Sequence, residues 1–114
     1  MEPVAYKVLT APQMAELESH GRFAGAPIDL SDGYIHLSTA AQLAETIAKH
    51  FAGQSDLHIA SVDLETLGNA IRWEESRGGQ LFPHLYGEMT LETVLAYGPL
   101  EHEPDGSIML PVAG

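Results

Sequence analysis

The chain contains no cysteine. That excludes a disulfide framework, a thiolate nucleophile and a cysteine-ligated zinc site, and it fits a reducing compartment. Basic residues are scarce: five Lys and Arg stand against sixteen Asp and Glu, a formal net charge of -11. Such a surface repels phosphate backbones and anionic lipid, which argues against a nucleic-acid partner. Apolar runs are short as well. None approaches the ~20 residues that span a bilayer, and no charged segment followed by an apolar one opens the sequence. A cytoplasmic location without a membrane partner is expected.

At 114 residues, one domain covering the whole chain is expected, large enough to bury a core without metal or disulfide staples. Strand and helix signals alternate along it. Val4 to Leu9 reads as a strand, and Thr10-Ala-Pro-Gln13 has capping-box spacing that predicts a short helix to His20, ended by Gly21. Residues 21–33 carry three glycines, Pro27 and two Asp, and read as a loop whose length in so small a domain hints at function. Tyr34 to Ser38 returns to strand composition. Thr39-Ala-Ala-Gln42 repeats the capping-box pattern before Leu43, Ile47 and Phe51, which predicts a second helix closed by Gly53. Leu57 to Leu64 reads as a largely buried strand, Ala70 to Glu74 as another, and Phe82 to Tyr86 as strand or ordered loop. A helical turn at Thr90 to Val94, a strand at Val94 to Leu100 and an edge strand at Ser107 to Leu110 complete the reading. The fold class is α+β, and the C-terminal edge strand leaves an oligomer open.

Chemistry concentrates in two strips. In Asp32-Gly-Tyr-Ile-His-Leu-Ser-Thr39, strand periodicity puts Tyr34, His36 and Ser38 on one face and Ile35 and Leu37 on the other, toward the core. His36 is the natural acid/base residue of the set, since imidazole is the side chain that ordinarily titrates in the physiological range. Thr39 stands at a helix start, where backbone N–H groups can receive an anion. The plainer alternative is a solvated sheet face with Thr39 as a cap.

The second strip runs from Arg72 to Gly87 and holds the single tryptophan. Arg72 and Glu74 share a strand face, so they pair with each other or jointly hold a ligand, while Trp73 points into the core. In Phe82-Pro-His-Leu-Tyr-Gly87, Pro83 and Gly87 fix backbone shape around His84 and Tyr86. The plain alternatives here are a surface ion pair worth ~0–1 kcal/mol and a satisfied, partly buried histidine. A metal site of His36, His84 and Glu74 is a further alternative that no H-x-H or H-E-x-x-H spacing supports. No metal is expected.

At these motifs, in this order and spacing, the chain resembles the bacterial family known as DUF952, over nearly its whole length. That family resembles a minimal member of the ADP-ribosyltransferase fold, and its His-Leu-Ser strand is similar to that of the NAD-using RNA 2′-phosphotransferases. The resemblance implies a split, curved, mainly antiparallel sheet with two or three short helices, ADP-ribosylation-like, clamping NAD in a cleft. It implies transfer of ADP-ribose from NAD to an acceptor or, alternatively, a non-catalytic module binding NAD, ADP-ribose or another small anionic metabolite. His36, Glu74 and His84 would be the catalytic residues, Glu74 stabilising positive charge on the sugar. Lys7, Ser38, Thr39, Arg72 and Tyr86 would bind the cofactor: His36 and Ser38 at ribose or nicotinamide, Arg72 or Lys7 at pyrophosphate, and Tyr86 or Tyr34 stacking on a ring. One position departs from the pattern: Lys7 stands where the family places a histidine after the first-strand aromatic, keeping a cation but not imidazole's donor–acceptor duality.

Overall fold

A computed structural model describes residues 3–111. Strand β1 (Val4–Thr10) buries Ala5 and Leu9 on one face and Val8 on the other. A strand apolar on both sides has to lie inside a layered structure. Accordingly it pairs antiparallel along its whole length with a later strand, Leu57–Asp63, which pairs in turn with Val94–Pro99, the register slipping between Ser61 and Val62.

Helix α1 (Ala11–His20) follows directly. Thr10 and Gln13 form the expected capping box, Pro12 occupies the first turn, and Gly21 ends the helix in the left-handed conformation at φ 73°. Its Met14 and Leu17 join Ala5 and Leu9 in the main core cluster. Each such side chain contributes about 1.5–3 kcal/mol on full burial.

Residues 21–33 are not the loop expected. They form a two-residue strand, β2 (Arg22–Phe23), and a short helix, α2 (Pro27–Asp32). Glycine and proline suggested irregular chain, but here Pro27 starts a helix and Gly33 caps its end in the left-handed region. Strand β3 (Ile35–His36) is shorter than Tyr34 to Ser38, though Ser38 still makes an isolated bridge to Tyr6. A 3-10 turn over Ala40–Gln42 leads into α3 (Leu43–His50). This helix stops at His50 with Phe51 as its cap, before reaching Gly53. Leu43, Ile47 and Phe51 pack with Val8, Leu57 and Ile59 in a second cluster. Thus α1 and α3 belong to core clusters on opposite faces of β1.

The remaining elements are β4 (Leu57–Asp63), α4 (Leu64–Leu67), β5 (Ile71–Glu75), β6 (Leu81–Leu85), β7 (Met89–Thr90) and β8 (Val94–Pro99). Among the described residues they complete three antiparallel sheets, ordered β1-β4-β8, β3-β6-β5 and β2-β7. The first and second are joined by the Tyr6–Ser38 bridge, whose backbone bonds measure 2.8 and 2.9 Å. The architecture is therefore mixed α and β with antiparallel sheets and four short α-helices among the described residues, against the two or three expected. The expected edge strand at Ser107 to Leu110 is reduced to an isolated bridge between His102 and Ile108, because hydrogen bonds from one turn hold the chain there. Among the described residues no helix is long and apolar enough to cross a membrane.

Candidate functional site

The β3-β6-β5 sheet has one apolar and one polar-aromatic face. Ile35 and Leu37 point into the core, as their alternation requires, and Trp73 packs against the same cluster. Registers His36 with His84, Arg72 with His84 and Glu74 with Phe82 place the other set together. Tyr34 stacks on His84, ring centroids 4.1 Å apart, and approaches His36 at 4.7 Å and Tyr86 at 5.3 Å.

A residue with no role in the sequence reading organises one side of this cluster. Asp29, buried in α2, accepts the Ala26 backbone N–H at 2.8 Å and the His36 backbone N–H at 3.1 Å. Its carboxylate also meets His36 Nδ1 at 2.6 Å and Lys7 Nζ at 2.9 Å. Burial pushes the Asp29 carboxyl up, but the His36 hydrogen bond and the Lys7 ammonium outweigh it and hold the group at about 2. Burial pulls the Lys7 ammonium below the usual lysine range, with Asp29 working against that pull. His36 Nε2 faces Asp32 at 3.0 Å, so each ring nitrogen meets a carboxylate. The available signal was Asp29 two residues after Pro27, the placement of an N3 carboxylate reaching back to the helix start. Glycine-rich surroundings hid it.

On the other side, Glu74 Oε1 takes His84 Nδ1 at 2.8 Å and the Tyr86 hydroxyl at 2.7 Å. These bonds hold the Glu74 carboxyl below the usual carboxylate range and push the Tyr86 phenol up. Burial, then the Asp32 and Glu74 carboxylates, raises Tyr34. Arg72 does not pair with Glu74 in an ion pair; its guanidinium lies 4.6 Å over the Tyr86 ring.

Along the Asp29 side, and reached from the other side by His84 alone among the residues named there, opens a cleft of about 540 Å³, whose lining includes Lys7, His36, Ser38, His84, Ile28 and Phe51. That volume lies in the ordinary range for small-molecule sites. The structure thus brings His36, His84, Ser38 and Lys7 to the cleft itself, with Glu74, Arg72 and Tyr86 adjoining it through His84. All four cleft residues are engaged by neighbours: besides the carboxylates on His36 and His84, Lys7 also donates to the His36 carbonyl at 3.1 Å, and Ser38 Oγ lies 2.9 Å from Thr46 Oγ1. Thr39 does not line the cleft, and its backbone N–H is taken by Gln42 Oε1 at 3.0 Å. Among the described residues no three His, Asp or Glu side chains are arranged to hold a metal ion.

The family model described as "Protein of unknown function (DUF952)" matches residues 8–97. The chain belongs to the DUF952 family. The match runs from β1 into β8 and so takes in every cleft residue named above except Lys7. Among solved structures, the crystal structure of protein CC0527 from Caulobacter crescentus is similar at 41% identity and a TM-score of 0.83, with 94% of each chain covered. A double methionine variant of CC0527 matches at 40% identity with the same TM-score and coverage. The solution NMR structure of CC0527 matches at 40% identity and a TM-score of 0.78, covering 94% of this chain and 91% of that one. No curated protein matches the chain.

Proposed function

We propose that the cleft binds a small ligand of the NAD or ADP-ribose class. The observation that carries this reading is the gathering of Tyr34, His36, His84 and Tyr86 on one sheet face beside a cavity of ligand size. The sequence resemblance supplies the ligand class, and two antiparallel sheets joined at one bridge support it as the ADP-ribosylation-like split. Beside the cleft Tyr34 and Tyr86 offer faces for an aromatic ring, and a ribose hydroxyl would take the place of Asp32 at His36 Nε2. Arg72, exposed beside Tyr86, supplies a fork for pyrophosphate. Lys7 adds less there, because Asp29 already matches its charge.

Thermal melting with NAD, ADP-ribose and nicotinamide tests the reading. A ligand at a hundred times its Kd stabilises the protein by about 2.7 kcal/mol, a readily measured upward shift. The shift disappears in Arg72→Ala; absence of a shift with NAD and ADP-ribose alike refutes the proposal. Release of nicotinamide from NAD then separates a transferase from a binding module.

A further inference from the structure

Glu74 and His84 stand on adjacent strands with their side chains on the same face, and the His84 ring lies between the Glu74 carboxylate and the cleft wall. Two hydrogen bonds hold Glu74 in its ionised form, which can only accept. The proton between Glu74 and His84 therefore sits on Nδ1, and Nε2 presents a lone pair in the neutral ring. That atom is buried and has no hydrogen-bond partner among the described residues. Such an atom is costly when left unpaired, a cost tolerated where the group has a task. A carboxylate holding one imidazole nitrogen, with the other nitrogen bare, is the arrangement of an oriented general base. Tyr34 stacks on one face of the ring and is only partly buried, and admitting a donor to the in-plane lone pair of Nε2 requires the side chains around it to shift.

We infer that Glu74 and His84 form a proton-accepting dyad and that the group transferred in this cleft goes to an acceptor that must give up a proton, such as the hydroxyl of water or of an alcohol. The inference rests on the NAD reading above and names the acceptor class for it. Nε2 takes the hydroxyl proton as the oxygen's electron pair forms a bond to the ribose carbon of NAD. The bond from that carbon to the nicotinamide nitrogen breaks, and nicotinamide leaves neutral with the electron pair. Glu74 stabilises the imidazolium formed, which then returns its proton to solvent. A carboxylate acceptor carries no proton at neutral pH and would leave the dyad without work.

Diethyl pyrocarbonate, which acylates unprotonated imidazole nitrogen, tests the dyad without a ligand, with peptide mass spectrometry locating the modified histidines. His84 is expected to be labelled in the native protein despite being 2% exposed, and saturating ADP-ribose to protect it. Glu74→Gln, at a partly exposed position, is expected to slow that labelling roughly tenfold by removing the charge-assisted bond. An unlabelled His84 beside labelled, exposed His20 and His102 overturns the inference. So does an unchanged rate in Glu74→Gln. A melting shift with ADP-ribose but no labelling of His84 removes the dyad and leaves the binding reading. Glu74-dependent labelling with no shift removes the NAD step and leaves a reactive His84.

Discussion

Replacing Asp29 with asparagine, close to isosteric, removes one charge and leaves Lys7, 6% exposed, facing no anion at its Nζ. Breaking a buried ion pair by deleting one partner costs about 3–5 kcal/mol, since the remaining charge stays buried. For 114 residues the unfolding entropy is ~0.24 kcal/mol/K, so the melting temperature falls by about 12–20 °C. Differential scanning calorimetry measures this directly. Lys7→Met combined with Asp29→Asn removes the stranded ammonium and regains about 1–2 kcal/mol over the single change. The acid limb supplies an independent check. The Asp29 carboxyl in the folded protein lies below its ordinary value of 3.8, at about 2, so the unfolded chain binds the proton first. Stability from this group is complete above its ordinary value and drains away as pH falls toward about 2, amounting to ~2 kcal/mol. Lys7 has the same sign in a different window: its lowered value makes stability rise with pH in the alkaline range, leaving the acid limb to the carboxylates. A stability loss in Asp29→Asn under ~1 kcal/mol, with an unchanged acid limb, refutes the account of Asp29 as a buried keystone.

Gly25→Ala forces a side chain onto φ 134° and brings its Cβ to 2.8 Å from that of Asp29; destabilisation of at least about 1–3 kcal/mol is expected in urea titration. Thr10→Ala removes the side-chain half of the α1 capping box and costs ~1 kcal/mol by the same assay, with reduced protection of the first-turn amides in hydrogen exchange. Phe23→Ala empties a fully buried position where β2 meets β7 and lowers stability by about 3–5 kcal/mol. Arg72→Ala changes stability by less than ~0.5 kcal/mol, because the guanidinium is exposed; a larger loss would mean that its contact with Tyr86 holds the sheet rather than waits for a ligand.

Regular periodicity made much of the fold readable. Ile35 and Leu37 alternate with Tyr34, His36 and Ser38, and that alternation alone separates the core pair from the polar face, from which His36 and Ser38 reach the cleft. Thr10, Gln13 and Gly21 marked both ends of α1 through local bonds that need no knowledge of the rest of the chain. What stayed hidden depends on contacts between distant segments. Asp29 meets Lys7 only because β3 and α2 are brought back beside β1, and nothing in the spacing of the two residues announces it. Strand periodicity offers Glu74 either a pair with Arg72 or a ligand held jointly with it. The stronger partners came from the neighbouring strand and the turn after it, His84 and Tyr86. The short α2 escaped because six residues between glycines give periodicity too little length to register.

The pairing of β1 with β4 has a consequence for the order in which the molecule can be made. During synthesis at roughly 5–20 residues per second, β1 leaves the ribosome several seconds before β4, about fifty residues further on, can pair with it. For that interval a strand apolar on both faces has no sheet to enter, so early chaperone contact is expected to centre on Val4–Thr10. The cleft comes later still. Its histidine wall needs β6, so a translation product stopped before residue 81 contains Lys7, Asp29 and His36, which pair with one another, but not the His84 side of the cleft.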